Sequence, residues 1–321
     1  MTLHPCQTRP PTRRDRTRWD TSTVLVTGAT GFVGRHLLPR LAATGARVYA
    51  TTRTPRTTPV ARSGVRWVPL DLMDDAALLD IVRTVQPDVV VHLGGCVSGA
   101  VDPHLVLPTF NTLLASSVAL LTAVQDGDVG RLVLVGSTDE PCAGGTPGSP
   151  YSAAKTAMTA YAKLYAEAFA ASVVCVRPSQ AFGPGQAPTK LLPYTAAAVL
   201  RGERPRLTSG ARRGDWIYID DVVDGLLAAA QNAPDGAEVD LGTGRLRSNR
   251  EVVERLLAAL GTDIQPMWGA LPDRPGEPER AADLARTADV LGWQPRVSLD
   301  DGLNRTADAA RREAQDARTA V

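Results

Sequence analysis

The chain has 321 residues, of which 44% are hydrophobic and 21% charged, and its formal net charge is +1. That length holds a sizeable core in one large domain or two, while near-neutral charge gives no electrostatic basis for binding nucleic acid or a membrane surface. No apolar run approaches the ~20 residues of a membrane span, and Cys6, Cys96, Cys142 and Cys175 are scattered without a CxxC pair, which fits free thiols in a reducing cytoplasm.

Residues 1–22 are polar, rich in Arg and Pro, and without apolar periodicity; they predict a disordered arm and lack the apolar segment of a secretory leader. From Thr23 onward short apolar runs alternate with helical patterns. Val24-Leu-Val26 reads as a buried strand, followed by a glycine turn and a helix over 33–43 that Gly45 ends. Strands follow over 47–52 and 66–70, a helix over 76–85 and a strand over 88–92. A long apolar helix spans 111–124, a strand 131–135, an Ala-rich helix 151–170 and a strand 173–176. This alternation predicts an α/β fold: a Rossmann doubly wound parallel sheet over 23–176, covered on both faces, with ligands bound beyond the carboxyl ends of its strands. After Arg177, Pro and Gly become frequent and helices over 191–201, 219–231 and 250–260 are separated by longer loops. Residues 177–213 and 246–311 therefore predict a smaller C-terminal substrate-binding lobe, with a return to the main sheet around 214–245 and a tail over 312–321. His4, His36, His92 and His104 lack ligand spacing, so no metal site is expected.

Gly28, Gly31 and Gly34 stand between the first strand and the first helix. The first allows a tight turn, the second a close approach to a pyrophosphate, the third close packing of helix on strand; the helix N-terminus then offers free N–H groups to phosphate. At the end of the second strand, where a carboxylate would bind the ribose 2′-OH of NAD, stands Thr52, followed by Arg53 and Arg56. Arg53 can pair with a 2′-phosphate, so NADP is the expected cofactor and NAD the alternative. Asp71 and Leu72 are placed to touch the adenine, unless Asp71 caps the next helix.

Tyr151 and Lys155, four apart, put a phenol and an ammonium on one helix face. Lys155 and the positive charge of a cofactor would lower the phenol and make it a usable acid or base, and Lys155 would also bond the nicotinamide ribose. Thr138 follows the fifth strand, where its hydroxyl can meet a substrate oxygen. Ser137, Asn111 and Ser179 are further polar groups at strand ends or a first helical turn.

These residues resemble the extended short-chain dehydrogenase/reductases, the NAD-dependent epimerase/dehydratase family. The resemblance runs from about Thr23 to Thr306 and is carried by TGATGFVG (27–34), DL (71–72), HLGG (92–95), Asn111, STDE (137–140), YSAAK (151–155), RPSQAFGPGQ (177–186), DWIYIDDVV (215–223), RPGE (274–277) and LGWQP (291–295). It implies a nucleotide-sugar substrate between two lobes, and it adds Thr30, Phe32, Val33, Leu93 and Gly94 to the cofactor site. It implies Ser137, Gln180, Arg213 and Arg274 as substrate-binding residues, Arg274 clamping the diphosphate with a bidentate guanidinium. It also suggests a homodimer through the helices over 111–124 and 151–170. Three departures stand out. Gly214 replaces an arginine, for which Arg212 or Arg213 substitutes; Gln180 replaces an asparagine; and Pro141-Cys142-Ala143 replaces a Val-Tyr-Gly.

Three chemistries share this scaffold. Reduction of a 4-keto sugar nucleotide needs Tyr151, Lys155, Thr138 and a dissociable NAD(P)H; 4-epimerisation needs the same groups and a retained cofactor. A 4,6-dehydratase needs in addition an acid and a base, for which Asp139 and Glu140 are candidates. Arg53 favours the reductase. A non-catalytic NADP-binding sensor of the same fold stays open as well.

Overall fold

A computed structural model describes residues 18–54, 64–142, 144–273 and 278–319. The first half contains β1 (Thr23–Thr27), α1 (Phe32–Ala43), β2 (Arg47–Thr52), β3 (Val65–Pro69), α2 (Asp75–Val85) and β4 (Val89–His92). It continues with α3 (Val106–Thr109), a π-helical segment (Phe110–Ala115), α4 (Ser116–Gln125), β5 (Arg131–Val135), α5 (Pro150–Phe169) and β6 (Val173–Pro178). The second half contains β7 (Gln180–Phe182), α6 (Leu191–Leu200), β8 (Arg213–Tyr218), α7 (Ile219–Asn232), β9 (Glu238–Leu241), β10 (Leu246–Ser248), α8 (Asn249–Leu260), α9 (Leu284–Leu291) and α10 (Leu299–Thr319).

Seven strands form one sheet in the order β3-β2-β1-β4-β5-β6-β9, and every neighbouring pair is parallel. All five residues of β1 are buried, as a strand covered on both faces must be. Val24 and Val26 face a core shared with Leu37, Leu41, Val222 and Leu226 of α1 and α7. Leu25 faces the opposite core with Leu78, Leu120, Leu121 and Met158 of α2, α4 and α5. The strand order reverses between β1 and β4, so the loops after these two strands diverge and open a crevice.

The smaller lobe is built on a second sheet, β10-β8-β7, with β8 antiparallel to β10 and parallel to β7. The return to the main sheet is thus narrower than 214–245: α7 and β9 return, while β8 belongs to the lobe. Asp215 of β8 is 1% exposed. Its Oδ1 accepts from Thr243 N at 2.7 Å and Thr243 Oγ1 at 2.6 Å, and its Oδ2 from Gly244 N at 2.9 Å and Ala282 N at 3.0 Å. One carboxylate ties three distant stretches of chain together. Asp221 acts alike, accepting from Arg296 N and Val297 N at 3.0 and 2.9 Å.

Further boundaries differ from expectation. Of the arm expected over 1–22, residues 1–17 lie outside the described residues, while Trp19–Thr21 form a 3-10 turn leading into β1. Residues 312–319 of the expected tail belong to α10. The helix expected over 111–124 begins at Val106 and passes through the π segment. Together with the preceding turn it makes a 23-residue apolar stretch, Pro103–Gln125, of membrane-spanning length, contrary to the reading of the apolar runs. Its Leu113, Leu120 and Leu121 are buried inside the domain, while Val106, Leu107 and Phe110 are exposed.

Asp215→Ala should lower the unfolding free energy by about 3 kcal/mol or more, because hydrogen bonds to a buried charge are lost and four donors are left unpaired. Urea unfolding followed by tryptophan fluorescence measures this; a loss under about 1 kcal/mol would remove Asp215 as an anchor of the lobe.

Candidate active site

The glycine turn is shaped by backbone contact. Gly28 has φ +64°, and a Cβ on it would lie 2.6 Å from both N and Cα of Gly94. A Cβ on Gly34 would lie 2.5 Å from Ala29 O, and one on Gly94 2.2 Å from Leu72 Cδ1. The turn, the loop after β4 and Leu72 therefore interlock with no space for side chains. Gly31 occupies the N-cap of α1, with no side-chain cap bond, so the first-turn N–H groups are left for another acceptor. Thr30 is exposed and Phe32 and Val33 are half-buried beside this terminus, with Leu93 half-buried across from them. A dinucleotide phosphate fits this cradle by its chemistry. Asp71 bonds Met73 N with one oxygen at 3.0 Å and is exposed; the cap of α2 is Asp74, not Asp71. Arg53 is exposed in the bend after β2.

A chain of hydrogen bonds runs beneath the turn. Gly94 N donates to Thr27 Oγ1 at 3.3 Å, and Ser116 Oγ donates to Thr112 O at 2.9 Å. Between them lies His92, 1% exposed, with Nδ1 2.7 Å from Thr27 Oγ1 and Nε2 3.1 Å from Ser116 Oγ. The serine's proton is committed to Thr112 O, so His92 Nε2 carries the hydrogen and Nδ1 accepts from Thr27. Burial, reinforced by Lys155, lowers His92 to about 3, which keeps it neutral. The chain ends in the π segment that holds Asn111; Thr112 Oγ1 there accepts from Cys96 N at 2.9 Å.

Ser149 caps α5, accepting from Ser152 N at 3.1 Å, and Pro150 takes the first turn, where no N–H is needed. This puts Tyr151 at the mouth of the helix and Lys155 one turn inside, 5% exposed, with Nζ donating to Val135 O at 2.5 Å and lying 5.8 Å from the Tyr151 ring centre. Ser152 Oγ donates to Asp139 O at 2.8 Å, fastening the loop after β5 to α5.

The phenol's hydrogen-bonded neighbour is Ser137. Thr138 is buried beside it, its N–H donating to Pro178 O at 3.3 Å. Burial pushes the Tyr151 phenol up, the Ser137 bond pulls it down, and Asp139 and Glu140 add to the rise. The expected lowering by Lys155 is not among the influences on the phenol, whose net shift is upward. Lys155 is lowered to about 8 by burial, against Cys175 and Glu140.

The two carboxylates of the loop part company. Glu140 is 4% exposed, turned inward, its Oε1 accepting from Ser137 N and its Oε2 from Thr159 Oγ1, both at 2.8 Å. Asp139 points the other way, 3.5 Å from Arg212 Nη2. With its amide turned to satisfy both donors, Gln180 Oε1 accepts from the two terminal nitrogens of Arg212 at 3.1 and 3.2 Å. Arg212, the first of the two arginines offered for the missing one, joins the loop after β5 to the lobe. Arg213 is exposed and takes no part in this cluster; its N–H donates to Glu279 Oε1. Arg274 lies outside the described residues.

A family model described as the NAD dependent epimerase/dehydratase family matches residues 24–242. With the parallel sheet, the glycine cradle and the Tyr151–Lys155 pair in place, the chain belongs to that family of enzymes, the extended short-chain dehydrogenase/reductases. It is 28% identical to a UDP-glucose 4-epimerase of Mycolicibacterium smegmatis (91% of this chain, 99% of the relative). It is 32% identical to a dTDP-glucose 4,6-dehydratase of Streptomyces antibioticus (89% and 91%), and 29% identical to a dTDP-4-dehydro-6-deoxy-D-allose reductase of Streptomyces bikiniensis (90% and 96%). Among solved structures, the UDP-glucose 4-epimerase of Thermus thermophilus in complex with NAD superimposes with a TM-score of 0.79 at 27% identity, over 90% of this chain and 99% of that one.

Tyr151→Phe should reduce turnover by about 10²-fold or more while cofactor binding survives, since only the proton-handling oxygen is lost; wild-type rates would remove Tyr151 from the chemistry. His92 generates a prediction about acid stability. Between its ordinary 6.5 and about 3, the unfolded chain binds a proton that the folded chain refuses, so stability falls as pH falls through this window. The slope from one such group is ~1.4 kcal/mol per pH unit. Unfolding free energies of His92→Asn measured across the window should lack this slope; an unchanged slope would assign it to other groups.

Proposed function

We propose that the protein reduces the C4 keto group of a nucleoside-diphosphate 4-keto-6-deoxyhexose with NADPH. The observation that carries this reading is the inward turn of Glu140: with both oxygens bonded in the interior and Asp139 paired to Arg212, neither carboxylate is free to move the protons of a 4,6-elimination. The upward push on Tyr151 keeps its phenol protonated, which suits proton donation to a C4 oxygen more than proton removal from a C4 hydroxyl. The second strand ends without a carboxylate and with Arg53 open to solvent, which favours a 2′-phosphate and hence the cell's reducing cofactor.

Gly28, Gly31, Gly34, Leu72, Leu93 and Gly94 would hold the dinucleotide, which supplies hydride when bound. Tyr151 gives its proton to the oxygen that becomes the alcohol. Ser137, already bonded to the phenol, and Thr138 beside it stabilise the charge growing on that oxygen. Lys155 holds positive charge near the phenol and the ribose. Gln180 and Arg212 line the sugar side, and Arg274 takes the diphosphate, as the resemblance implies. The exposed apolar side chains Val106, Leu107 and Phe110, with Tyr161, Leu164 and Phe169 of α5, support pairing of two copies through these helices.

Epimerisation is the second reading, favoured by the epimerase relative and the NAD held by the Thermus enzyme. The test mixes purified protein with NADPH and dTDP-4-keto-6-deoxyglucose and follows the loss of NADPH absorbance. Stoichiometric consumption is expected. Interconversion of UDP-glucose and UDP-galactose without net consumption would replace the reductase by the epimerase. Formation of a 4-keto-6-deoxy sugar from dTDP-glucose would replace it by the dehydratase, and cofactor binding without any turnover by a sensor. Arg53→Asp should shift preference from NADP(H) towards NAD(H), by removing a phosphate partner and adding a repelling charge. Titration of both cofactors against both proteins measures it; a wild-type preference for NAD(H) would sink the reading of β2.

A further inference from the structure

Beneath Tyr151 and Lys155 lies a buried polar cluster of which the proposed chemistry uses Ser137 alone. Glu140 stands at its centre, bonded to the N–H of Ser137 and to Thr159 Oγ1. Ser137 is the residue bonded to the Tyr151 phenol, and Thr159 follows Lys155 by one turn on α5. Thr159 Oγ1 also lies 3.3 Å from Cys175 Sγ on β6. The space for the carboxylate is preformed, since a Cβ on Gly136 would come within 2.5 Å of Glu140 Oε1.

We propose that Glu140 is a positioning residue of the Tyr151–Lys155 site: its buried carboxylate grips the Ser137 turn and α5 together and supplies the counter-charge to the Lys155 ammonium, instead of carrying a proton to or from substrate.

The inference rests on the reading that Tyr151 and Lys155 carry the reaction. The groups that face Lys155 are Glu140 from the loop after β5, Cys175 from β6, His92 from β4 and Tyr151 from its own helix; Arg177 of β6 faces Glu140. Burial pushes the Cys175 thiol up to about 12, so it is uncharged at neutral pH. His92 is neutral as well. That leaves Glu140 as the carboxylate acting on a buried ammonium, which a low-dielectric site strands without a counter-charge. Burial raises Glu140 overall, and the Ser137 N–H, Thr159, Arg177 and Lys155 offset that rise in part.

The chain makes the test direct, because Lys155, Lys163 and Lys190 are its only lysines. Protein labelled with carbon-13 and nitrogen-15 in lysine gives three side-chain signals, of which Lys155 is identified by its loss in Lys155→Arg. In Glu140→Gln, which keeps the shape and an acceptor for Ser137 N, the Lys155 midpoint should fall by about 1 pH unit below the wild-type value. The alkaline fall of kcat with dTDP-4-keto-6-deoxyglucose and NADPH should move in the same direction, with turnover at lower pH retained within a few fold. An unchanged Lys155 midpoint would overturn the proposal. Loss of turnover at every pH with an unchanged midpoint would in addition make Glu140 a proton carrier. If wild type turns over no substrate, the proposed function fails, and the lysine titration still decides on Glu140. Should Glu140→Gln not fold, Glu140→Asp retains the charge on a shorter stem; its Lys155 midpoint should match wild type while turnover slows, and a displaced midpoint or undiminished turnover would overturn the proposal.

Discussion

The site depends on one steric constraint: the backbone of Gly28 lies against the backbone of Leu93 and Gly94, at the place where the strand order reverses. A methyl group on Gly28 would fall 2.6 Å from the facing main chain. Two parallel strands can diverge there and still pack their following loops together only because both loops are bare. The contact sets where α1 begins and where its open N–H groups point. It also brings Leu72 down onto Gly94. The hydrogen bond from Gly94 to Thr27 continues the contact through His92 into the π segment, so the nucleotide cradle and the helix carrying Asn111 are registered to each other through β1 and β4.

Tyr151 and Lys155 sit in a second environment governed by burial. A phenol and an ammonium withdrawn from water respond oppositely, the phenol rising and the ammonium falling. The buried Glu140 carboxylate works against the second effect. The Ser137 hydrogen bond works against the first. The outer carboxylate, Asp139, is answered by Arg212 from the small lobe. Adjacent residues in one loop thus face two neighbourhoods, one dry and one half-open.

Much of this was legible in the sequence because it rests on local periodicity. Strands β1 to β6 and helices α1, α2 and α5 are each driven by a short apolar run or a helical stripe, bounded by Gly or a cap. The glycine turn and the Tyr151–Lys155 pair depend on spacing alone. What escaped was set by tertiary partners. The residues of β8 fall within the stretch expected to return to the large sheet, and only pairing with β7 and β10 assigns them to the small one. The π segment has no sequence signal; it follows from fitting Leu113 against Gly95 and Thr112 against the Cys96 N–H. Arg212 and Arg213 are adjacent and chemically equal, and the direction of the chain entering β8 decides which one reaches Gln180. Asp139 and Glu140 look like an acid–base pair until Thr159, a turn beyond Lys155, claims one of them. The signal for Glu140 was present in the spacing of α5: a polar Thr on the same buried face as Lys155 requires a partner.

The Asp215 clamp has a consequence for the order in which the molecule assembles on the ribosome. Its acceptor atoms leave the exit tunnel with β8, yet the donors that satisfy them come from Thr243, Gly244 and finally Ala282. Until that last stretch has emerged, the carboxylate has no complete dry site and the three short strands have little to hold them. The nucleotide half contains most of its sheet by β6 and can condense early, lacking α7 and its last strand. The small lobe closes near the end of synthesis, so an arrest or truncation before Ala282 would leave the cradle formed and the sugar side open.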